Sequence, residues 1–389
     1  MRSKASPQPD INGNDSTATM IIGLPKEIKD GERRVALTPG AVAALIAEGN
    51  SVRVQNNAGH GAGFKDAEYA AAGAEIVDSA DKAFDAELVV KVKEIQTNEW
   101  QMLHPGGMLF SFLQLRTDPF MAHELLARRI TGIAFETVED DSKRLPILAP
   151  MSVISGELAI PIAANLLMTS NGGRGVAIGD ARVVILGAGN AGAAAAGTAI
   201  ALGADVTVIS RHGPRLAALA HRLGSSARTI AMNPTALGTA ILDADVIIGA
   251  VNVPGTATPK LLSRQEMQSI TARNGPGAVL IEICIDGGGI AETSHATLHS
   301  APTYVDQGVT HYCVPNMPAA VPRSASIALS TAVQPYVSAI AKTGLRQALK
   351  NDAGLAAGLQ IHGGQVTHAA IARELNRPYR DLDAMLFSC

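Results

Sequence analysis

A chain of 389 residues, 47% hydrophobic and 17% charged, is too long for one ordinary core and points to two domains of comparable size. A formal net charge of −3 carries no nucleic-acid footprint and no polybasic membrane signal. The three cysteines, Cys284, Cys313 and Cys389, form no framework and no CxxC pair, which fits a reducing cytoplasm.

Residues 1–19 (MRSKASPQPDINGNDSTAT) are polar, lack an apolar h-region and read as a disordered tail. From Met20 onward strand and helix patterns alternate nearly throughout, which predicts an α/β chain with doubly wound parallel sheets. Met20–Leu24 is a strand. Thr38-Pro39 opens a helix through Glu48, with Thr as cap and Pro in the first turn. Ser51–Gln55 is the next strand, and Leu88–Lys93 and Met108–Leu113 are strand-like. This block, reaching about Leu145, has no glycine fingerprint, so its crevice serves something other than a dinucleotide. Ser152–Thr169 reads as a long helix that changes domains, kinked at Pro161.

The second block, about Ile147–Arg323, contains the most informative stretch, Val183–Gly192 (VVILGAGNAG). A β-branched run ends in Gly187-x-Gly189-x-x-Gly192 and an Ala-rich helix pattern follows. Glycines at this spacing let the backbone turn sharply and approach a pyrophosphate at the positive end of the helix. The next strand, Asp205–Ile209, is followed by Ser210-Arg211-His212-Gly213-Pro214-Arg215. An NAD site usually carries Asp or Glu there for the ribose 2′-hydroxyl. A hydroxyl and two guanidiniums instead suit a 2′-phosphate, so NADP(H) is favoured over NAD(H); the alternative is that both arginines are solvated surface residues. Two later strand-to-loop junctions, Val246–Gly255 and Val279–Gly289, should line the same crevice. The most apolar long window, Ala191–Ile209, is interrupted by Asp205, and nothing else approaches a membrane span. After Arg323 a mostly helical tail should return to the first block.

Several segments together resemble the alanine dehydrogenase family, which shares its fold with the soluble nucleotide-binding part of proton-translocating transhydrogenase. They are GLPKEIKDGERRVALTP (Gly23–Pro39), KVKE (Lys91–Glu94), LAPMS (Leu148–Ser152), GGRG (Gly172–Gly175), GAGNAG, IDGGG (Ile285–Gly289) and YCVPNMPAAVP (Tyr312–Pro322). Their order and spacing cover roughly residues 20–375. The resemblance implies two Rossmann-like domains with the active site in the cleft between them. The substrate domain would be discontinuous, 20–146 plus 324–389, around a dinucleotide domain at 147–323. A homo-oligomer, hexamer or dimer, is implied as well. Arg34 falls where the family grips the substrate carboxylate, and Lys93 matches its partner; a bidentate guanidinium plus a point charge would orient a small 2-oxo or 2-amino acid. Asp286 matches the acid beside nicotinamide and substrate, and Asn316 lies near both. Ser152, Asn190, Ala191, Val251, Asn252, Ile285 and Met317 match positions around the cofactor, Met317 being equally readable as core packing.

Two departures stand out. The family's catalytic histidine is replaced by Gln114 in Phe110-Ser111-Phe112-Leu113-Gln114. An amide hydrogen-bonds a carbonyl or imine but exchanges no proton near neutral pH, and histidine's share of acid–base catalysis is ordinarily about 10²–10⁴-fold. His104 precedes the strand and lies too far away; His311 is the better replacement by position, though such a residue is more often structural, and Asp286 is another. The second departure is Ser210-Arg211, where the family usually carries aspartate. Together they suggest a specialised paralogue acting with NADP(H) on an acid other than alanine. A substrate that is already an iminium would need less help from an acid. A transhydrogenase-like component and a non-catalytic NADP(H) sensor are the competing readings. No metal site is indicated: His295 and His299 are spaced i and i+4 without a third ligand.

Overall fold

A computed structural model describes residues 19–211, 213–251 and 257–382. One compact unit joins the two ends of the chain, up to Pro150 and from Val321 on; the other is Met151–Ala320.

The first unit opens with β1 (Ile21–Leu24), β2 (Ser51–Gln55), β3 (Glu75–Val77), β4 (Leu88–Val90), β5 (Met108–Ser111) and β6 (Thr131–Ala134). They lie in the order β3-β2-β1-β4-β5-β6, all parallel. The chain winds outward from β1 to β3, returns to β4 on the other side and winds outward again. That reversal makes a crevice at the carboxyl ends of β1 and β4, where open α/β sheets take their ligands. Two strands end earlier than their apolar runs suggest. β4 stops at Val90, and the Glu27 carboxylate accepts the N–H groups of Val92 (2.5 Å) and Lys93 (3.3 Å). β5 stops at Ser111, and Glu136 accepts those of Leu113 (3.2 Å) and Gln114 (2.8 Å). The helix Pro39–Ala47 begins as expected, but Thr38 does not cap it. Its hydroxyl faces Ser330 at 3.2 Å on the helix Pro322–Thr343, and a tertiary partner displaces the local one.

The second unit carries β7 (Arg182–Leu186), β8 (Asp205–Ser210), β9 (Ala227–Ala231), β10 (Val246–Gly249), β11 (Ala278–Glu282), β12 (Thr303–Asp306) and β13 (Val309–Tyr312). Their order is β12-β13-β11-β10-β7-β8-β9, parallel except for β12. Without that edge strand this is again the 3-2-1-4-5-6 dinucleotide order, reversing between β7 and β10. Val183 and Ile185 pack into one apolar layer, Val184 and Leu186 into another. A strand covered on both faces reads as an unbroken β-branched run, which is why this segment was legible.

The linking helix spans Leu148–Leu166, with Pro161 inside it. By length (19 residues) and mean hydropathy (1.2) it is the one described helix that is long and apolar enough to cross a membrane, whereas the sequence pointed to Ala191–Ile209 as the most apolar window. Its buried stripe, which includes Ala159, Ile160 and Ala163, packs with Val183 and Ile185 in the core of the second unit. After Val321 the chain is mostly helical. It also adds an unexpected antiparallel pair to the first sheet: β14 (Leu359–His362) against β6 and β15 (Gln365–Val366) against β14.

Candidate active site

In the second unit the fingerprint glycines have three separate reasons. Gly187 sits at φ +118°, and a Cβ there would come within 2.3 Å of the Ala250 carbonyl. At Gly192 a Cβ would lie 1.9 Å from the Gly187 oxygen, so only glycine lets the helix Asn190–Ala201 start this close to β7. Gly189, which precedes that helix, has nothing within 4 Å of the corresponding position. An open space over a helix N-terminus suits a pyrophosphate, so the residues fit a dinucleotide. Asn190 is exposed in the first turn and Ala191 is buried, its carbonyl 2.1 Å from where a Cβ on Gly156 would stand.

Ser210, at the carboxyl end of β8, is 8% exposed, while Arg211 and Arg215 are exposed. The neighbouring strand β9 runs on into Met232 and Asn233, so neither strand end presents a carboxylate. Val251 and Ser152 are half-buried and Ile285 is buried; Asn252 lies outside the described residues.

Asp286 is exposed on the single turn Ile285–Gly287, just beyond β11. Its loop is tied down at several points. Glu282 accepts N–H groups of Ile290 (2.7 Å) and Ala291 (3.1 Å), Thr258 donates its N–H to the Gly287 carbonyl (2.8 Å), and Lys260 reaches the Gly288 carbonyl (2.6 Å). The Cys284 thiol donates to Glu282 at 3.4 Å; burial first and the Glu282 charge second push its pKa far up, so it stays a thiol.

Two positions that were open between a structural and a site reading take structural surroundings. His311, the better-placed substitute for the missing histidine, is fully buried: Nδ1–H donates to the Val309 carbonyl (2.9 Å) and Nε2 accepts from the Thr293 hydroxyl (2.7 Å). Burial holds its pKa below the ordinary value, so it is a neutral core residue with both nitrogens committed. Met317, 2% exposed, packs in the core with Tyr312 and Val314, as the core-packing reading of this residue expects. Asn316 beside it is half-buried at φ +64°, a left-handed conformation asparagine tolerates. His295 stacks on Tyr304 at 3.8 Å, whereas His299 faces the Asn316 carbonyl at 3.3 Å.

In the first unit the carboxyl edge is built from buried charge. Arg34 is 2% exposed and its Nε and Nη2 hold the Glu32 carboxylate at 2.8 and 2.6 Å. The bidentate edge expected to grip a ligand is thus used internally, a correction that the i, i+2 spacing of Glu32 and Arg34 explains. Lys91 is buried between Glu27 and Glu99, each at 3.1 Å. Lys93, 6% exposed, lies 3.4 Å from Glu94, which also pairs with Lys29. Burial alone would raise the pKa of Glu94, but Lys93 and Lys29 bring it below the usual range. Gln114 is half-buried at φ +46°, with its carbonyl accepting from Thr117 N–H (2.9 Å) and hydroxyl (2.8 Å). A cavity of about 400 Å³ lies between the loop holding Glu27, Glu32 and Arg34 and the turn Asn57–Gly61. His104 is at the opposite end of β5, 2.8 Å from Asp85.

Reading the sequence missed Glu27, Glu32, Glu99 and Glu136. The acids interleaved with bases in KEIKDGERR and the lone acid closing GIAFE were the available signals.

Two family models cover this architecture: alanine dehydrogenase/PNT, N-terminal domain, over residues 23–155, and alanine dehydrogenase/PNT, C-terminal domain, over residues 159–369. The chain belongs to the alanine dehydrogenase/PNT family. Alanine dehydrogenase of Bacillus subtilis (strain 168) is 42% identical over 367 residues, 92% of this chain and 96% of that protein. A solved L-alanine dehydrogenase matches with a TM-score of 0.87 at 40% identity, covering 92% of this chain and 99% of its own. A transhydrogenase from Sinorhizobium meliloti matches with a TM-score of 0.77 at 24% identity, covering 89% of this chain and 100% of its own, a likeness of fold. The alanine dehydrogenase/PNT models span both the glycine cradle and the charged carboxyl edge.

Proposed function

We propose that this chain is an alanine-dehydrogenase-like oxidoreductase that moves a hydride between NADP(H) and C2 of a small amino, imino or 2-oxo acid. The observation that carries the reading is the pairing of two carboxyl edges in one chain. One has an open glycine turn, with Ser210 at the end of the next strand; the other has buried Arg34 and Lys93. The nicotinamide, when bound, supplies the hydride acceptor or donor.

In this reading Gly187–Gly192 receives the pyrophosphate, and Ser210, Arg211 and Arg215 receive the 2′-phosphate. Glu32 holds the Arg34 fork rigid, so the guanidinium meets the substrate carboxylate with little ordering cost. Lys93 adds a second positive charge. Gln114 donates or accepts a hydrogen bond at the group on C2, and Asp286 takes the proton that the amine loses as hydride leaves C2. The substrate-binding domain is the unit built from both chain ends, and a homo-oligomer, hexamer or dimer, is part of the same reading. The relatives' names make alanine the first substrate to try; Gln114 is the argument for another.

Oxidation of an amino-acid panel with NADP⁺ and with NAD⁺, beside NADPH and NADH fluorescence titrations, tests it. Turnover with NADP⁺ and tighter NADPH binding are expected. Tighter NADH binding would overturn the coenzyme assignment. Turnover of no amino acid, and of no oxo acid with ammonia, would leave the sensor reading.

A further inference from the structure

Gln114 stands in an unusual backbone conformation for its residue type. Among the described residues seven non-glycines have positive φ, three of them asparagines; Gln114, at φ +46°, directly follows the apolar run that continues β5. Such a conformation persists only where the surroundings over-determine it. Here the determinant is visible. Oε1 of Glu136 accepts the Gln114 N–H at 2.8 Å, and Oε2 accepts the Leu113 N–H at 3.2 Å. Consecutive N–H groups converging on one anion form a concave nest, and the nest is filled by a carboxylate from the end of the neighbouring strand, β6. From the other side Thr117 closes the turn on the Gln114 carbonyl.

The device recurs. Glu27, beyond β1, takes Val92 N–H and Lys93 N–H beyond the adjacent β4, and Glu282 takes Ile290 N–H and Ala291 N–H in the loop that bears Asp286. Each pair of amides belongs to a segment carrying a residue of the candidate site. Burial raises the carboxyl pKa of all three glutamates; the accepted hydrogen bonds work against it at Glu136 and Glu282, and the Lys91 charge does so at Glu27. Holding carboxylates in such places costs stability, and the return is a fixed loop.

We propose that Glu136 is a positioning residue of the active site, setting the side-chain direction of Gln114 by clamping its backbone. This rests on the reading of Gln114 as a residue facing the reacting group. Glu136 itself touches no substrate in this account. A glutamine at position 136 offers one acceptor and one donor to two N–H groups, so it fails at one of them without a change of size.

The test is a double-mutant cycle with a structural arm. Glu136→Gln should lower kcat about tenfold while the KM for the acid and the NADPH affinity stay within about twofold. In a Gln114→Ala background the same substitution should cost less than about twofold, because the group it orients is gone. Equal costs in both backgrounds would make Glu136 merely structural and overturn the proposal. Glu136→Asp keeps the charge and withdraws it from the amides; it should give an intermediate loss with the same split, and stands in if the glutamine variant does not fold. A crystal structure of either variant decides independently of turnover, so an inactive wild type would sink the proposed reaction without touching this test. Residue 114 leaving positive φ supports the clamp, and residue 114 unmoved refutes it.

Discussion

The two sheets share one strand order yet finish their strands in opposite chemical styles. Around Gly187, Gly189 and Gly192 the carboxyl edge of the second sheet is made of backbone, with side chains absent where a helix comes close and where open space is left. Around Arg34, Lys91 and Lys93 the first sheet's edge is made of buried charge, each cation matched to a carboxylate. A dinucleotide's pyrophosphate is held by N–H groups and a helix dipole, which need proximity and no fixed charge. A small acid offers few atoms, so a site must bring rigid charges to it. On the proposed function one topology would support two kinds of recognition, with the difference in the residues just past the strand ends.

That contrast can be broken most severely at Arg34. Arg34→Met removes the guanidinium from the buried Glu32 carboxylate and should cost about 3–5 kcal/mol in urea unfolding, because a buried charge loses its counter-ion. The exposed Arg264–Asp306 pair of the other unit, cut the same way, should cost at most about 1 kcal/mol. Equal costs would deny that charge is the structural currency of the first edge.

The glycine edge should respond to bulk according to position. Gly192→Val forces a methyl group onto the Gly187 oxygen and should cost about 3 kcal/mol with loss of NADPH binding. Gly189→Val meets open space, so its unfolding midpoint should stay within about 2 °C while NADPH affinity falls about tenfold or more. A Gly189 variant with unchanged affinity would remove the pyrophosphate from that turn.

A finer probe is Arg211→Ala, expected to weaken NADPH by about tenfold and NADH not at all, as read by fluorescence titration. Equal effects on both coenzymes would make the arginine a surface residue.

The smallest effect concerns His311. Its folded pKa lies below the unfolded value, so the unfolded chain binds more protons as pH falls. The stability it contributes is complete above about pH 6.5 and is lost as pH drops toward the folded pKa. Between pH 8 and 5.5, His311→Gln should therefore lose less stability than the wild type, as read by urea unfolding at the two pH values. An identical pH dependence would mean that His311 titrates normally, and it would again become a candidate acid.

The glycine turn could be read from the chain because its reasons are local: a strand, a tight turn and a helix start within ten residues. Arg34 and Lys93 were legible as motif positions, but their partners were not. Glu136 lies 22 residues from Gln114, and Glu27 lies 64 from Lys91, so no periodicity links them. Which of its two readings His311 takes was hidden for the same reason. Its neighbours in sequence look like a loop entrance, and only the pairing of β13 with β11 and β12 encloses it.

By itself, then, the amino-acid order determined the alternation of strands and helices, the dinucleotide turn and the family to which the chain belongs. Those follow from backbone preference, side-chain period and contiguous residues. Only the tertiary structure decided which charges are matched, where each strand stops and which histidine is inert. Those outcomes depend on through-space distance between segments far apart in the chain, where a shift of a few ångströms exchanges a buried ion pair for an isolated charge.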